Sequence, residues 1–342
     1  MYLPSEAPRN VKKGRAFPTA RYVVSSSKNG STVSNSLSLT SVNNTNEPTS
    51  MLTRSNTIKS HPYLKIQFPQ STFTYIGGGS YGAAYTIPFN TIVLKELVDL
   101  KPMLRNVVEG QELKSGRRRN QNLVIKVANP KSTKDWEWFI KESKHEASVQ
   151  MSLQNAQAYV RCAGGGRVVI KGRHLVPRLF FAGSHRTFGV FVYVMEIASG
   201  KSLDEFNSPG ASMSPELYVA IEKAVVGLWM LGYAHGDLHF GNLMYDTKRR
   251  TITIIDFGMS VKIPLNISKR IRSGIKSMKH STALWKETGA QDYVHAVMSQ
   301  RGRRWFNDDG KLLQVAYSLV PEDLRPEIRQ ARKNLWNKCS WI

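Results

Sequence analysis

The stretch His235–Asn242 reads HGDLHFGN, and a second stretch further along the chain, Asp256–Gly258, reads DFG. In each stretch an acidic residue is expected on a loop beside a short apolar strand. Carboxylates and an amide oxygen on two such loops can converge on a divalent metal ion and on a substrate hydroxyl. The two stretches together therefore predict a centre for phosphoryl transfer.

The residues between the two stretches predict a β-hairpin. Two apolar segments flank the polar turn Asp246–Arg250, and one of them alternates as a strand does. Such a hairpin returns the chain to its starting end, so we expect Asn242 and Asp256 to lie together. We predict that both hold the metal ion that bridges the phosphates, while Asp237 orients the acceptor hydroxyl and takes its proton.

These motifs resemble those of the protein-kinase superfamily, in which the catalytic loop reads HRDLK, ends in Asn and is followed by DFG. By that resemblance Asp237 is the expected catalytic base, and Asn242 and Asp256 are the expected metal ligands. His235 is expected to pack beneath the loop rather than to act as an acid or base. The resemblance implies ATP and Mg²⁺ as cofactors.

A glycine-rich segment upstream fits the same resemblance. It has the pattern G-x-G-x-x-G at Gly77, Gly79 and Gly82, between two segments that are typical of strands. Glycine lets backbone amides approach phosphates without a side chain in the way, so these residues are candidates for nucleotide binding. A tight hairpin without a ligand is the alternative. A dinucleotide-binding motif is disfavoured because a strand, not a helix, follows the glycines.

An apolar strand over Asn122–Ala128 is interrupted by Lys126, which resembles the kinase lysine that contacts the α- and β-phosphates. The alternative is an edge-strand lysine with its ammonium group in water. A long helix is predicted over Lys134–Val160. On it one stripe is formed by Phe139, Ser143, Glu146, Val149 or Gln150, and Leu153. Glu146 therefore faces inward among apolar neighbours, where it needs a cation. We predict that Glu146 pairs with Lys126, and Glu142, one turn earlier, is the rival candidate.

The apolar run Gly189–Gly200 is predicted to be the last strand of the small lobe and the hinge after it. It lies between the lysine–glutamate pair and the catalytic loop, where a kinase hinge belongs. The resemblance then implies that Met195 lies at the back of the adenine pocket and that the backbones of Glu196 and Ala198 bond the adenine edge. An ordinary buried strand is the alternative.

Two of the three departures from the protein-kinase pattern lie in the catalytic loop and after Gly258, and they bear on the branch of the superfamily. The third is the longer chain between Gly82 and Lys126. Gly236 replaces the usual arginine, and His239 replaces the lysine two residues after the catalytic aspartate, so the string H-G-D-L-H-x-G-N is closer to aminoglycoside and choline phosphotransferases and to atypical kinases. Without that arginine, control by a phosphorylated activation segment is disfavoured, and His239 or another cation would contact the γ-phosphate. No Ala-Pro-Glu follows Gly258, and residues 259–342 are too few for a full peptide-binding lobe.

The order of these elements predicts an α+β, bilobal protein-kinase-like fold with a small antiparallel-sheet N-lobe and a mainly helical, shortened C-lobe. The N-lobe is expected over residues 61–198, with a basic insertion near 95–121. The C-lobe, with the catalytic loop and a basic C-terminal extension, is expected over 199–342. Residues 1–60 are rich in Ser, Thr and Asn and poor in aromatic residues, which predicts a disordered tail.

Three helices are predicted in the C-lobe. Ser214 and Pro215 are typical of a helix start, and the helix they begin is expected to end at Gly232 and to support the catalytic loop. The segments Ala283–Gln300 and Pro321–Trp336 are predicted to be further helices.

The 342-residue chain has a formal net charge of +23. Part of this charge lies after Asp256 in a tract with no acidic residue until Glu287. Such a surface predicts contact with nucleic acid, an acidic protein or an anionic membrane, weakening as salt rises; generic solubility charge is the alternative. The tract Lys114–Arg119 in the insertion is a docking site for an acidic partner or nucleic acid, or else a solvated loop tip.

Location is predicted from what the sequence lacks. No signal peptide or run of membrane-spanning length is recognisable, and Cys162 and Cys339 are too few for a disulfide framework or a zinc site. We therefore expect an intracellular protein of the cytoplasm or nucleus. The compact, basic, short-lobed form resembles divergent kinases encoded by large DNA viruses, which adds association with a virion to the expected locations.

The combined interpretation is an ATP- and Mg-dependent phosphotransferase, a divergent serine/threonine protein kinase that transfers the γ-phosphate to protein hydroxyls. A small-molecule kinase of the aminoglycoside or choline type is the first alternative, and it requires an acidic pocket for a cationic substrate near Asp237. A catalytically silent, nucleic-acid-binding scaffold is the second. The oligomeric state is left open.

Overall fold

The computed structural model describes most of the chain from residue 73 onward. The described residues are 63–64, 73–79, 82–88, 101–102, 122–130, 135–161, 165–185, 188–204, 210–277 and 279–337. All of them lie in one unit, Ser55–Ile342. The predicted tail over 1–60 and the basic tract Lys114–Arg119 lie outside the described residues.

Strands dominate the first half of this unit and helices dominate the second. The described strands are β1 (Thr74–Gly79), β2 (Gly82–Pro88), β3 (Lys101–Pro102), β4 (Asn122–Ala128), β5 (Gln157–Arg161), β6 (Arg167–Lys171), β7 (Leu179–His185), β8 (Val190–Glu196), β9 (Lys201–Ser202), β10 (Tyr233–Ala234), β11 (Leu243–Asp246), β12 (Thr251–Ile254) and β13 (Val261–Lys262). The described helices are α1 (Trp136–Asn155), α2 (Pro215–Met230), α3 (Leu265–Lys276), α4 (Ser281–Glu287), α5 (Ala290–Gln300), α6 (Asp309–Ser318) and α7 (Arg325–Asn337).

Six strands form the antiparallel sheet of the N-terminal lobe, in the order β1-β2-β4-β8-β7-β3. Strand β4 is internal, so Lys126 has Ala84 opposite it on β2 and Tyr193 opposite it on β8. The alternative of an edge-strand lysine is therefore wrong. Apolar clusters cover the sheet on both faces, and the face that carries Tyr193 also packs against Phe139 of α1.

Helix α1 is shorter than predicted. It ends at Asn155, and the chain then forms the hairpin β5–β6 instead of continuing as a helix to Val160. The alternating burial of the two strands places Val160 and Ile170 in the same apolar cluster as the C-terminal helices. A period of two residues, flanking a turn with Gly165 at φ +81°, outweighs the helix pattern here.

The C-terminal lobe is a helical layer built around α2. The side chain of Ser214 caps this helix by accepting a hydrogen bond from the amide of Leu217, as predicted for its start. The predicted helix Ala283–Gln300 is instead two helices, α4 and α5, because Gly289 adopts φ +73° between them. The predicted helix at Pro321 begins with a single 3₁₀ turn, and α7 follows it.

Among the helices of the described part of the chain, none has the length and apolar character needed to cross a membrane.

Candidate active site

The hairpin β11–β12 brings the two diagnostic stretches together. Leu243 pairs with Ile254, and one residue further out the amide of Ile255 donates to the carbonyl oxygen of Asn242 at 3.0 Å. Asn242 and Asp256 therefore lie at the same end of the hairpin, as the turn length predicted.

A buried carboxylate that the sequence analysis missed holds the catalytic loop from below. Asp309, 1% exposed, accepts hydrogen bonds from Trp229 Nε1 and the amide of His235, both at 2.9 Å to Oδ2, and from the amide of Gly236 at 3.1 Å to Oδ1. Burial raises the pKa of the Asp309 carboxyl group, and the N–H groups that donate to it act against that rise. Asp309 thus ties the start of α6 to the loop. No local pattern marks it, since an aspartate in a first helical turn is common.

His235 is buried and hydrogen-bonded at both ring nitrogens. Its Nε2 donates to the carbonyl of Ile255 at 2.9 Å, so the other nitrogen, Nδ1, is free to accept from the amide of Asp237 at 3.3 Å. The ring therefore links the catalytic loop to the residue before Asp256.

Gly236 has a conformation and a setting that exclude a side chain. Its φ is +76°, and a Cβ atom there would lie 2.4 Å from the carbonyl oxygen of Met259 and 2.3 Å from the terminal methyl group of Met298. The backbone of this loop therefore requires glycine at position 236, where most protein kinases have arginine.

Asp237 is held through its backbone and its side chain. Its carbonyl accepts from Asn242 Nδ2 at 2.9 Å, and its Oδ1 accepts from Asn307 Nδ2 at 2.8 Å. Asp237 and Asn307 also form an isolated β-bridge. Asn307, distant in sequence, is a second site residue that the sequence analysis did not find.

A cluster of charges lies where the N-terminal sheet meets Asp256. Lys126 Nζ is 2.7 Å from Glu146 Oε1 and 3.5 Å from Asp256 Oδ1. The hydroxyl of Tyr193 donates to Glu146 Oε2 at 2.9 Å. One cation thus contacts two carboxylates, one on α1 and one on the loop after β12. Asp256 itself has φ +64°, a rare conformation for a residue with a side chain and one that recurs at functional sites.

The charges set the protonation of this cluster. The ammonium group of Lys126 holds the pKa of Asp256 below its usual value, and the partial loss of solvent around this half-exposed carboxylate opposes that effect only in part. Burial raises the pKa of Glu146, while Lys126 acts against that rise. Burial alone would lower the pKa of Lys126, but Glu146 and Asp256 reverse the effect and raise it. Asp256 is therefore anionic and Lys126 cationic at neutral pH.

The rival glutamate has a different partner. Glu142 Oε2 is 3.1 Å from Arg303 Nη2, and the guanidinium group of Arg303 lies over the ring of Trp138 at 5.4 Å from its centroid. The structure therefore brings Glu146 to Lys126 and directs Glu142 to the segment before α6. Every residue of the predicted stripe on α1 is buried: Phe139, Ser143, Glu146, Val149, Gln150 and Leu153.

The predicted metal ligands fit Mg²⁺ in their chemistry. Asn242 uses Nδ2 to donate to Asp237, which leaves its amide oxygen as a candidate ligand. Asp256 supplies an anionic oxygen, and Mg²⁺ takes one or two protein carboxylates together with phosphate oxygens. Among the described residues, the candidate site included, no three His, Cys, Asp or Glu side chains cluster in a way that could hold a metal ion.

Residues 122–283 match the family model of the ABC1 atypical kinase-like domain, a branch of the protein-kinase-like superfamily. The match runs from β4 into α4 and contains Lys126, Glu146, Asp237 and Asp256. The fold is bilobal and kinase-like. No curated protein matches the chain significantly.

The glycine-rich segment, which precedes the matched residues, is a strand pair with two distinct glycine environments. Gly79 pairs with Gly82 where β1 meets β2. A Cβ at Gly82 would lie 2.4 Å from the carbonyl oxygen of Val127, whereas one at Gly77 would meet no atom within 4 Å. Gly82 is thus required for close packing on β4, and Gly77 is the open position. Ser80 and Tyr81, between the strands, lie outside the described residues.

The predicted hinge follows β8. Met195 is half-buried, and its sulfur lies 3.9 Å from Gln150 Nε2. The amide of Glu196 donates to the carbonyl of Arg178 at 2.8 Å. Because the amide of Glu196 is already used, the expected contact of Glu196 with adenine would have to use its carbonyl group. The expected contact of Ala198 with adenine stays a prediction.

His239 has a local structural task in the kinase-like domain. Its Nδ1 accepts from the amide of Gly241 at 3.1 Å and caps the 3₁₀ turn Phe240–Asn242. In the neutral ring this places the proton on Nε2, which is then a donor. The predicted contact of His239 with the γ-phosphate stays a prediction.

Proposed function

We propose that this protein is an ATP- and Mg²⁺-dependent phosphotransferase. The observation that carries the proposal is the contact of Lys126, from the N-terminal lobe, with both Glu146 and Asp256. Asp256 lies at the same end of the hairpin as Asn242. The side-chain amide of Asn242 donates a hydrogen bond to the carbonyl oxygen of Asp237 in the catalytic loop. Phosphoryl transfer needs little covalent chemistry from a protein, and such positioned charges supply most of what it needs.

In the proposed reaction the N-terminal lobe holds the nucleotide. Lys126 would bind the α- and β-phosphates, and Glu146, fixed by Tyr193, would keep its ammonium group in place. Asp256 and the amide oxygen of Asn242 would hold Mg²⁺. When bound, Mg²⁺ neutralises the charge that develops on the phosphate oxygens.

The catalytic loop would prepare the acceptor. Asp237 would accept the proton of the attacking hydroxyl, and the hydrogen bond from Asn307 to Oδ1 would leave Oδ2 to face that hydroxyl. His239 Nε2 would serve as a donor to the γ-phosphate.

The proposed acceptor is a serine or threonine hydroxyl of a protein. Support comes from the charge of α3, where Lys269, Arg270 and Lys276 are exposed and would favour an acidic protein substrate. Nucleic acid is the other polyanion that this surface could take. A small-molecule acceptor is the second candidate, and the side-chain-free Gly236 in the catalytic loop favours it because it departs from the protein-kinase pattern.

Radiolabelled ATP tests the proposal directly. Purified full-length protein with Mg²⁺ is offered an acidic protein, a basic protein and a panel of aminoglycosides and choline. We expect label on the acidic protein and an Asp237→Asn variant that loses at least about a hundredfold in rate. Equal and negligible label transfer by the wild type and the Asp237→Asn variant would overturn the enzymatic proposal. The catalytically silent scaffold would then be the remaining interpretation. Label confined to a small molecule would overturn the protein acceptor alone.

A further inference from the structure

A cavity of about 300 Å³ lies behind the predicted hinge. Its walls come from the segment between β6 and β7, residues 196–199 of the hinge, α2 and the start of β12. Lys126, Glu146, Asp237 and Asp256 are not among its lining residues. The cavity shares residues 196–199 with the predicted hinge, including Glu196 and Ala198, and contains none of the other candidate site residues.

The walls of this cavity are strongly basic. Arg173, Lys223, Arg249 and Arg250 line it, and Glu196 is the single acidic side chain among the lining residues. Burial lowers the pKa of Lys223 to about 8, so this lysine still carries its charge at pH 7. A concave site with this excess of positive charge attracts anions more strongly than a flat surface of equal charge.

The floor of the cavity is apolar, with Leu175 and Ile252 among its residues. An apolar floor lowers the local dielectric constant and strengthens charge–charge interactions above it. A volume near 300 Å³ matches the lower end of small-molecule sites. The size and shape therefore favour a small anion over an extended polymer.

The backbone at Arg250 adds an independent observation. Arg250 adopts φ +53° at the end of the turn between β11 and β12, a conformation that is unfavourable for a residue with a Cβ atom and that glycine or asparagine would adopt more easily. The turn carries an arginine at this position, and its side chain lines the basic cavity.

We propose that this cavity binds the phosphate group of a small molecule, with Arg249 and Arg250 as its principal contacts. The planar guanidinium groups match phosphate oxygens in paired hydrogen bonds. Because residues 196–199 form one wall, an occupied cavity would also contact the hinge from behind. The proposal does not depend on phosphotransfer activity.

Pyrophosphate is the probe, titrated by calorimetry into the full-length protein at pH 7 without magnesium. The test variant is Arg249→Gln with Arg250→Gly, in which glycine suits the backbone at 250. The control is Arg329→Gln with Lys333→Gln, which removes two exposed charges from α7. We expect affinity to fall at least about tenfold in the test variant and to change little in the control. Thermal melting should show the test variant folded.

Three results would overturn the proposal. Unchanged affinity for pyrophosphate in the test variant would show that the two arginines do not contact it. An equal loss of affinity in the control would show that the effect comes from net charge alone. A complete loss of binding in Lys126→Ala would place pyrophosphate in the catalytic cleft instead. Two further arms test the source of the anion. One arm uses an oligonucleotide and the other uses vesicles that contain an anionic phospholipid. If either binds only when both arginines are present, and pyrophosphate does not bind, the proposed small-molecule ligand is wrong.

Discussion

The side-chain amide of Asn307 donates to Oδ1 of Asp237 at 2.8 Å, and this bond connects the predicted catalytic base to the segment just before α6. Asn307 would orient the carboxylate without taking part in the chemistry. Removing it frees the carboxylate to rotate away from the acceptor.

We expect Asn307→Ala to lower kcat about tenfold while the KM for ATP stays unchanged, since the nucleotide contacts lie elsewhere. Initial rates at varied ATP, with the substrate found in the labelling assay, give both constants. Asn266→Ala, an exposed position in the first turn of α3, is the matched control. A wild-type kcat in Asn307→Ala would show that Asp237 needs no orientation from this residue.

The two glutamates of α1 offer a matched pair of substitutions. Glu146→Gln removes the charge that faces Lys126, so we expect ATP affinity to fall about tenfold or more. Glu142→Gln breaks the contact with Arg303 and should leave ATP affinity within about twofold. Calorimetric titration with ATP and Mg²⁺ measures both. The assignment is wrong if Glu142→Gln weakens binding as much as Glu146→Gln does.

Asp309 should be a stability residue of the catalytic loop. In Asp309→Asn an amide group must face some of the three N–H donors, and a buried donor without an acceptor is costly. We expect the free energy of unfolding to fall by about 2 to 4 kcal/mol in urea denaturation. Asp292→Asn, exposed on α5, should stay within about 0.5 kcal/mol. Equal effects of the two substitutions would deny Asp309 its anchoring task.

Gly236 and Gly302 separate backbone strain from steric exclusion. Both have positive φ, +76° and +71°, but a Cβ at Gly302 would meet no atom within 4 Å. Gly302→Ala should therefore cost about 1 to 2 kcal/mol of unfolding free energy. Gly236→Ala should cost roughly 1 to 3 kcal/mol more, because the added methyl group meets Met259 and Met298. Urea denaturation compares them. If the two substitutions lower the free energy of unfolding equally, the contacts of the added methyl group with Met259 and Met298 do not destabilise the fold.

Asp256 predicts a pH dependence of stability. Lys126 holds the pKa of Asp256 below its unfolded value of about 3.9. Between the folded and the unfolded pKa, the unfolded chain therefore binds more protons than the folded protein does. Its stabilising contribution is present above pH 4 and is lost as the pH falls through the lower, folded pKa. The difference in unfolding free energy between wild type and Asp256→Asn should therefore be constant from pH 5 to 7 and shrink below pH 4.

The same measurement on Asp292→Asn is the control, and we expect no comparable change there. Because the Asp256 side chain is 54% exposed, water screens its attraction to Lys126, so the effect should be modest. A difference that grows below pH 4 would mean that Lys126 does not stabilise the Asp256 carboxylate.

Local patterns predicted the elements that depend on neighbouring residues. The hairpin that brings Asn242 to Asp256, the serine cap of α2 and the inward stripe of α1 all follow from spacing of a few residues. The same reasoning failed where two local signals compete. The segment after Asn155 has no Gly or Pro to end a helix before its glycine turn, yet its alternating burial makes it the strand β5. Gly289 divides the segment Ala283–Gln300, predicted as one helix, into two.

The sequence by itself determined the kinase-like order of elements and the short motifs, because each motif is a run of adjacent residues whose chemistry can be recognised without a fold. Only the tertiary structure decided which distant groups meet them. Lys126 contacts Glu146 and not Glu142, Asp309 holds the catalytic loop, and Asn307 bonds Asp237. Such pairs are set by how α1 and the chain around α6 pack onto the loop, and packing leaves no period in the sequence.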